Sequence, residues 1–157
     1  MNANEVLIRH FYTSFQNKDV QAMQDCYADA ARFSDPVFMD LNAAEVKAMW
    51  AMLIKSGKDM RLEFKNIKEN ENGATAEWDA WYTFSATGNK VHNRIKASFF
   101  IADGKITKHQ DQFCFYGWAS QALGFTGVLL GWTAFIKNKI RATANKNLHN
   151  FIAQTSK

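Results

Sequence analysis

"ATAEWDAWYTF", residues 74–84, alternates two sets of side chains along an extended chain, Trp78, Ala80 and Tyr82 against Glu77, Asp79 and Trp81. Aromatic content with a period of two reads as a β-strand. Three further stretches read the same way: "MRLEFKNIK" (60–68) before it, then "KVHNRIKASFFI" (90–101) and "KITKHQDQFCFY" (105–116) after it. The segments "ENENG", "SATGN" and "ADG" separate them, each short and each containing Gly. Consecutive strands joined by short turns predict an antiparallel meander. One residue of slip in 74–84 would exchange the buried and exposed sets. The reading favours Glu77, Asp79 and Trp81 inside, leaving Trp78 and Tyr82 on the outer sheet face, where an aromatic patch predicts a homodimer.

Before residue 60 the period is helical. Val6, Leu7, Phe11 and Phe15 recur at helix spacing over Asn4–Gln16, with Asn2 or Asn4 available as a cap. A second helix begins after Asp19 and carries Val20, Met23, Cys26 and Tyr27 on one face. A third runs from Asn42 to Lys55 with Val46, Met49, Trp50, Leu53 and Ile54 inward, and stops at Gly57. Helices first and a strongly bent antiparallel sheet afterwards predict an α+β cone with its pocket at the open end. From Gly127 the helical period returns, with Leu129, Trp132, Ile136, Ile140, Leu148 and Phe151 near one face of a long amphipathic tail. Packing on the domain is the expected role of that tail, ahead of reaching a second subunit or lying on a membrane surface. Residues 1–124 are read as the domain and 125–157 as its helical extension.

Composition narrows the function classes. A chain of 157 residues is one domain, and 47% hydrophobic residues with thirteen Phe and five Trp call for a wide core, an apolar pocket or a sticky interface. The formal charge is only +4, with Lys137, Lys139, Arg141 and Lys146 gathered near the end, and no aromatic-basic motif argues for nucleic acid. Cys26 and Cys114 have no metal-binding spacing, so neither a metal nor another cofactor is expected. Two sparse thiols and an amino terminus without a leader pattern are the reading for a cytoplasmic protein. The most apolar run, "ALGFTGVLLGWTAFI" (122–136), is too short and too Gly-broken to span a bilayer.

The chemistry-bearing stretch is "ARFSDPVF", residues 31–38, where Asp35 stands between apolar residues and before the only proline. An Asp before Pro opens turns by accepting from backbone amides. It also ends strands inside cavities, where apolar walls raise its pKa and make it a proton acceptor. On the last strand His109, Asp111 and Phe113 alternate onto a single face. A carboxylate beside an imidazole is acid–base machinery, or a buried pair that merely satisfies itself. Phe11, Phe15, Phe33 and Trp50 suit an apolar pocket with few polar anchors, and equally a plain core.

The runs "NKDVQAMQDCYADAARFSDPVF" (17–38) and "ADGKITKHQDQF" (102–113) resemble the nuclear transport factor 2-like superfamily, which includes ketosteroid isomerases, scytalone dehydratase, limonene-epoxide hydrolase and the SnoaL-like polyketide cyclases. The resemblance covers about residues 4–116. It implies that Asp35 occupies the place of the isomerases' general base and that the face bearing His109, Asp111 and Phe113 lines the pocket; Asp79 and Trp81 join that lining by the register favoured above, and Asn93 by alternation along its own strand. The isomerases' oxyanion donors fall at Phe11 and at about Ala97 here, so both are missing and steroid isomerisation of the known kind is not expected. His92 and Arg94 point away from the pocket by alternation, which argues against the dehydratase and hydrolase sites. The reading is a protein that binds a small apolar carbonyl or ring compound, with Asp35, His109 and Asp111 as its acid–base residues; the competing reading is a non-catalytic ligand-binding or protein-interaction module.

Overall fold

The computed structural model describes residues 2–156. Helix α1 (Ala3–Gln16) is capped by Asn2, whose side chain accepts from the Glu5 N–H at 2.9 Å. Helix α2 (Val20–Asp25) starts at Asp19 and ends at Cys26, so Tyr27 begins strand β1 (Tyr27–Ser34) instead of extending the helix. A two-residue β2 (Leu41–Asn42) leads into α3 (Ala43–Ser56), where Asn42 and Glu45 form a reciprocal capping box and Gly57 ends the helix. The meander follows as β3 (Arg61–Glu69), β4 (Gly73–Phe84), β5 (Asn89–Ala102) and β6 (Lys105–Gln112).

The sheet has six strands in the order β2-β1-β6-β5-β4-β3. The meander is antiparallel as its turns require. The β5–β6 turn is Asp103–Gly104, both at positive φ, the mirror-image turn whose twist matches that of its strands. Strand β1 is the correction to an all-antiparallel sheet: it pairs with β6 in parallel, Phe33 opposite His109. No short turn joins these strands, so nothing local in the sequence announces their pairing. Asn66, at φ 56, lies where the β3–β4 register shifts, and such a bulge bends the sheet. Helices α1 and α3 fill the concave side of the curved sheet with Ile8, Phe11, Tyr12, Phe15, Met49 and Trp50.

The tail is not one helix. Phe115–Ala122 form α4, Phe125–Leu130 form α5, and Ala134–Thr155 form α6. A Cβ on Gly127 would run into the backbone of Ala119, so α5 crosses α4 at main-chain contact. Packing of the tail holds for Ile136 and Leu148, both buried, while Leu129 and Trp132 are exposed. Burial pushes the Cys26 thiol up to about 11, whereas Cys114 is exposed at the α4 N-cap. No helix among the described residues is long and apolar enough to cross a membrane.

Candidate functional site

The parallel register sets the site. With Phe33 opposite His109 and a period of two on both strands, Asp35 and Asp111 follow on the same side at the next inward positions. Asp35 is at once a turn residue and a half-buried carboxylate. Its Oδ1 accepts from the N–H of Val37 (2.7 Å) and of Phe38 (2.6 Å), and its own N–H donates to the Phe38 carbonyl at 2.7 Å. Burial nevertheless pushes its carboxyl up to about 7, against the pull of those two amides and of the Arg141 guanidinium, and the charge of Asp111 adds to the rise.

Behind Asp111 runs a chain of hydrogen bonds. The Trp50 Nε1–H donates to the Tyr27 hydroxyl at 2.8 Å, that hydroxyl lies 2.9 Å from His109 Nδ1, and His109 Nε2 lies 2.8 Å from Asp111 Oδ1. Donor counting orients it. Indole donates only, and burial holds the Tyr27 phenol well above its ordinary value, so Tyr27 keeps its proton and gives it to Nδ1. The remaining imidazole proton is then on Nε2 and points at Asp111. His109 is sealed within five aromatic rings, Phe11, Tyr27, Phe33, Trp50 and Phe99, and is 1% exposed.

Phe11, Phe15, Phe33 and Trp50 are each at most 2% exposed, with Phe11, Phe15 and Phe33 all packed edge-on to Trp50. They form the aromatic core under the site. In β4 the register is the reverse of the expected one: Trp78 packs on Tyr12, Phe15 and Trp50 inside, Ala80 is buried and Tyr82 joins the core, while Asp79 and Trp81 face outward. The face chosen is the one whose other residues, Ala74, Ala76 and Ala80, are small and apolar and can be buried with the indole, whereas the Trp81 face would bury Glu77 and Asp79. On the outer face Trp81 stacks on His92 at 4.5 Å beneath the Arg61 guanidinium, and His92 Nε2 lies 3.0 Å from Asp79 Oδ2. Trp78 and Tyr82, the aromatics behind the expected dimer face, are therefore turned away from it. Asn93 pairs with Ala80 and shares its inward side, and Phe113 packs at the edge of the core.

Two groups that the sequence reading did not expect there lie near Asp35. Tyr82 lies close enough that the Asp35 charge adds to the rise that burial gives its phenol, and its hydroxyl accepts from Trp118 Nε1 at 2.7 Å. Arg141 of α6 donates to the Pro36 carbonyl at 2.9 Å, directly beside Asp35. The seam between cone and tail thus runs over Asp35, with Val37, Tyr82 and Phe113 shared between the main core and the cluster around Trp118. Deeper in, the Tyr12 hydroxyl and the Trp78 indole N–H are buried with no hydrogen-bond partner among the described residues, their rings 5.9 Å apart. Tyr12 directly follows Phe11, so helix α1 does bring a hydroxyl inside, one residue beyond the aligned position. Burial, then the charge of Asp111, hold that phenol well above its ordinary value, so it keeps its proton. Two surface cavities, of about 400 and 150 Å³, lie elsewhere and include none of Asp35, His109 and Asp111.

Comparison with known proteins places this architecture. A 19% identical structure, TerC co-crystallised with polyporic acid, covers 72% of this chain and 92% of its own, with a TM-score of 0.62. A candidate polyketide cyclase from Pseudomonas putida KT2440 is 21% identical over 78% of this chain and 98% of its own, at TM-score 0.65. An LEH-like epoxide hydrolase from M. tuberculosis is 17% identical over 85% of this chain and 95% of its own, at TM-score 0.61. No curated protein sequence matches. At these identities the structures share the fold alone, but the model of the SnoaL-like domain matches residues 8–109, from α1 to the histidine of β6. That match makes the chain a member of the SnoaL-like domain family, and its cone shares the fold of nuclear transport factor 2-like and ketosteroid isomerase-like structures.

Proposed function

We propose that this protein binds a small apolar carbonyl or ring compound at the seam over Asp35 and moves a proton on it, Asp35 being the acceptor. The observation that carries this reading is the Asp35 carboxyl itself, held near pH 7 with Oδ1 occupied by two amides and Oδ2 free of them. A carboxyl titrating there is poised to take a proton from carbon and return it. The C–H electron pair moves onto the adjoining carbonyl oxygen. Return of the proton to another carbon isomerises the compound; alternatively the enolate carbon attacks a second carbonyl and closes a ring, and the alkoxide so formed takes the proton back from Asp35.

Asp111 keeps the neighbouring negative charge in place, and His109, sealed from any ligand, positions Asp111 through Nε2–H. Co-crystallisation of TerC with polyporic acid and the cyclase description of the Pseudomonas putida relative support the choice of ligand class. Two separated thiols suit a reducing cytoplasm, and no step calls on a metal or organic cofactor.

The test begins with polyporic acid and a panel of hydrophobic carbonyl compounds, followed by thermal shift and calorimetry. Tyr12→Phe is expected to leave the free protein as stable as before or slightly more so, because it removes a buried hydroxyl without a partner. A clear loss of stability on thermal melting would mean that the hydroxyl does have a partner in the fold. Ligand binding that survives Asp35→Asn, with no turnover by either form, would favour the binding-module reading.

A further inference from the structure

The tail carries a surface that neither the fold nor the site above uses. Phe125, Trp132 and Phe135 are 77%, 74% and 72% exposed, and Val128, Leu129 and Leu130 stand out beside them. All six lie within eleven consecutive residues, on α5, the link after it and the start of α6, the last being Phe135. Their local polar groups are already occupied: Trp132 Nε1 donates to the Leu129 carbonyl at 2.9 Å, and the Tyr116 hydroxyl donates to the Val128 carbonyl at 2.9 Å. What the patch presents is hydrocarbon.

Beyond the patch the charge is of one sign. After Asp111 the sequence holds no Asp or Glu, while Lys137, Lys139, Arg141, Lys146 and Lys157 follow, so the whole of the chain's +4 excess lies in this segment. On α6 the exposed residues Phe135, Lys139, Ala142 and Lys146 recur at steps of four, three and four, which puts them on one helix face. Lys137 stacks over Phe115 and Arg141 is tied to Pro36, but Lys139 and Lys146 have no carboxylate partner among the described residues. An apolar tip of Phe, Trp and Leu continuing into unpaired lysines is complementary to a layer whose depth is hydrocarbon and whose surface is anionic.

We propose that this tip docks the protein on anionic lipid membranes, with Phe125, Trp132 and Phe135 entering the headgroup boundary and Lys139 and Lys146 contacting lipid phosphates. Attachment is peripheral, since no helix of the described residues spans a bilayer. The seam over Asp35 lies on the other side of α6 from this face, since Arg141, two residues from Lys139 and so nearly opposite it on the helix, is bonded beside that seam.

Flotation of the full chain with phosphatidylcholine vesicles, with and without phosphatidylglycerol, tests this. Binding is expected to the phosphatidylglycerol vesicles and to weaken with salt. The double variant K139E/K146E should lower the affinity for them about tenfold or more, at roughly 1 kcal/mol for each charge near the surface. F125S/F135S alters only exposed side chains and should abolish flotation while circular dichroism and melting temperature stay as in the parent. Absence of flotation with anionic vesicles overturns the proposal, as does flotation that F125S/F135S leaves intact. Light scattering that shows a dimer dissociated by F125S/F135S, without vesicle binding, overturns it as well and gives the patch to a second copy.

Discussion

Asp35→Asn is expected to leave stability nearly unchanged near pH 4 and to raise it by about 1–3 kcal/mol near pH 8. Asn keeps an Oδ1 that accepts from Val37 and Phe38, so the turn survives. The difference is the charge. In the unfolded chain Asp35 ionises at its ordinary value of 3.8; in the fold it does so at about 7. Between those values the unfolded state has released a proton that the folded state still holds, so native stability falls as pH rises from about 4 to about 7 and is level above that. Removing the carboxyl removes this slope. Chemical denaturation of both proteins across that range measures it, and the same variant should lose turnover of any compound the parent converts. Parallel pH profiles for the two proteins would mean that Asp35 is an ordinary ionised turn residue.

His109→Ala should cost about 3–5 kcal/mol, among the largest single losses this chain can show. Three penalties coincide. A cavity opens between five rings, the Tyr27 hydroxyl loses its acceptor, and Asp111 loses the N–H on its Oδ1. Tyr27→Phe deletes one link only, leaving Trp50 Nε1 and His109 Nδ1 without a partner, and should cost about 1–3 kcal/mol. Urea unfolding of both variants checks the order. If His109→Ala were the milder change, the imidazole would be filler and the donor direction assigned here would be wrong. A positioning role adds a second readout: in Tyr27→Phe, which folds, the Asp35 titration followed by NMR should move as Asp111 is freed to reorient.

Period carried the helices and the meander. Asn2, Asp19 and Asn42 cap where their chemistry says they should, and Gly57 stops α3. His109 and Asp111 were legible as one face of β6, because a period of two is enough to place side chains on a face, whereas Asp35 was joined to them only through the family resemblance. What failed depended on distant partners. Strand β1 takes its extended form from β6, so "YADAARFS" looks featureless by itself. The face of β4 is chosen by which residues beside the indole can be buried under α1, and the alternation of Trp78 with Trp81 is by itself compatible with either. In the tail, Gly131 and the short α5 break a pattern that looks continuous on paper, which is how Leu129 and Trp132 end up outside. Tyr12 was passed over because alignment by spacing selects one residue per turn, while a helix packed on a curved sheet presents neighbours to the inside as well.

The parallel pairing of β1 with β6 also dictates when the molecule can be finished during synthesis. Helix α1 leans on β3 and β4, and β1 has only the two residues of β2 beside it until β6 exists. A nascent chain therefore holds Phe11, Phe15, Phe33 and Trp50 without their sheet while four more strands emerge, an interval in which such surface invites aggregation. The hairpins of β3 to β6 close locally and fast, and the long loop from β1 to β6 closes last. Pulse-labelled hydrogen exchange during refolding should find β4 and β5 amides protected before those of β1; simultaneous protection would mean that the two ends of the sheet meet in one step.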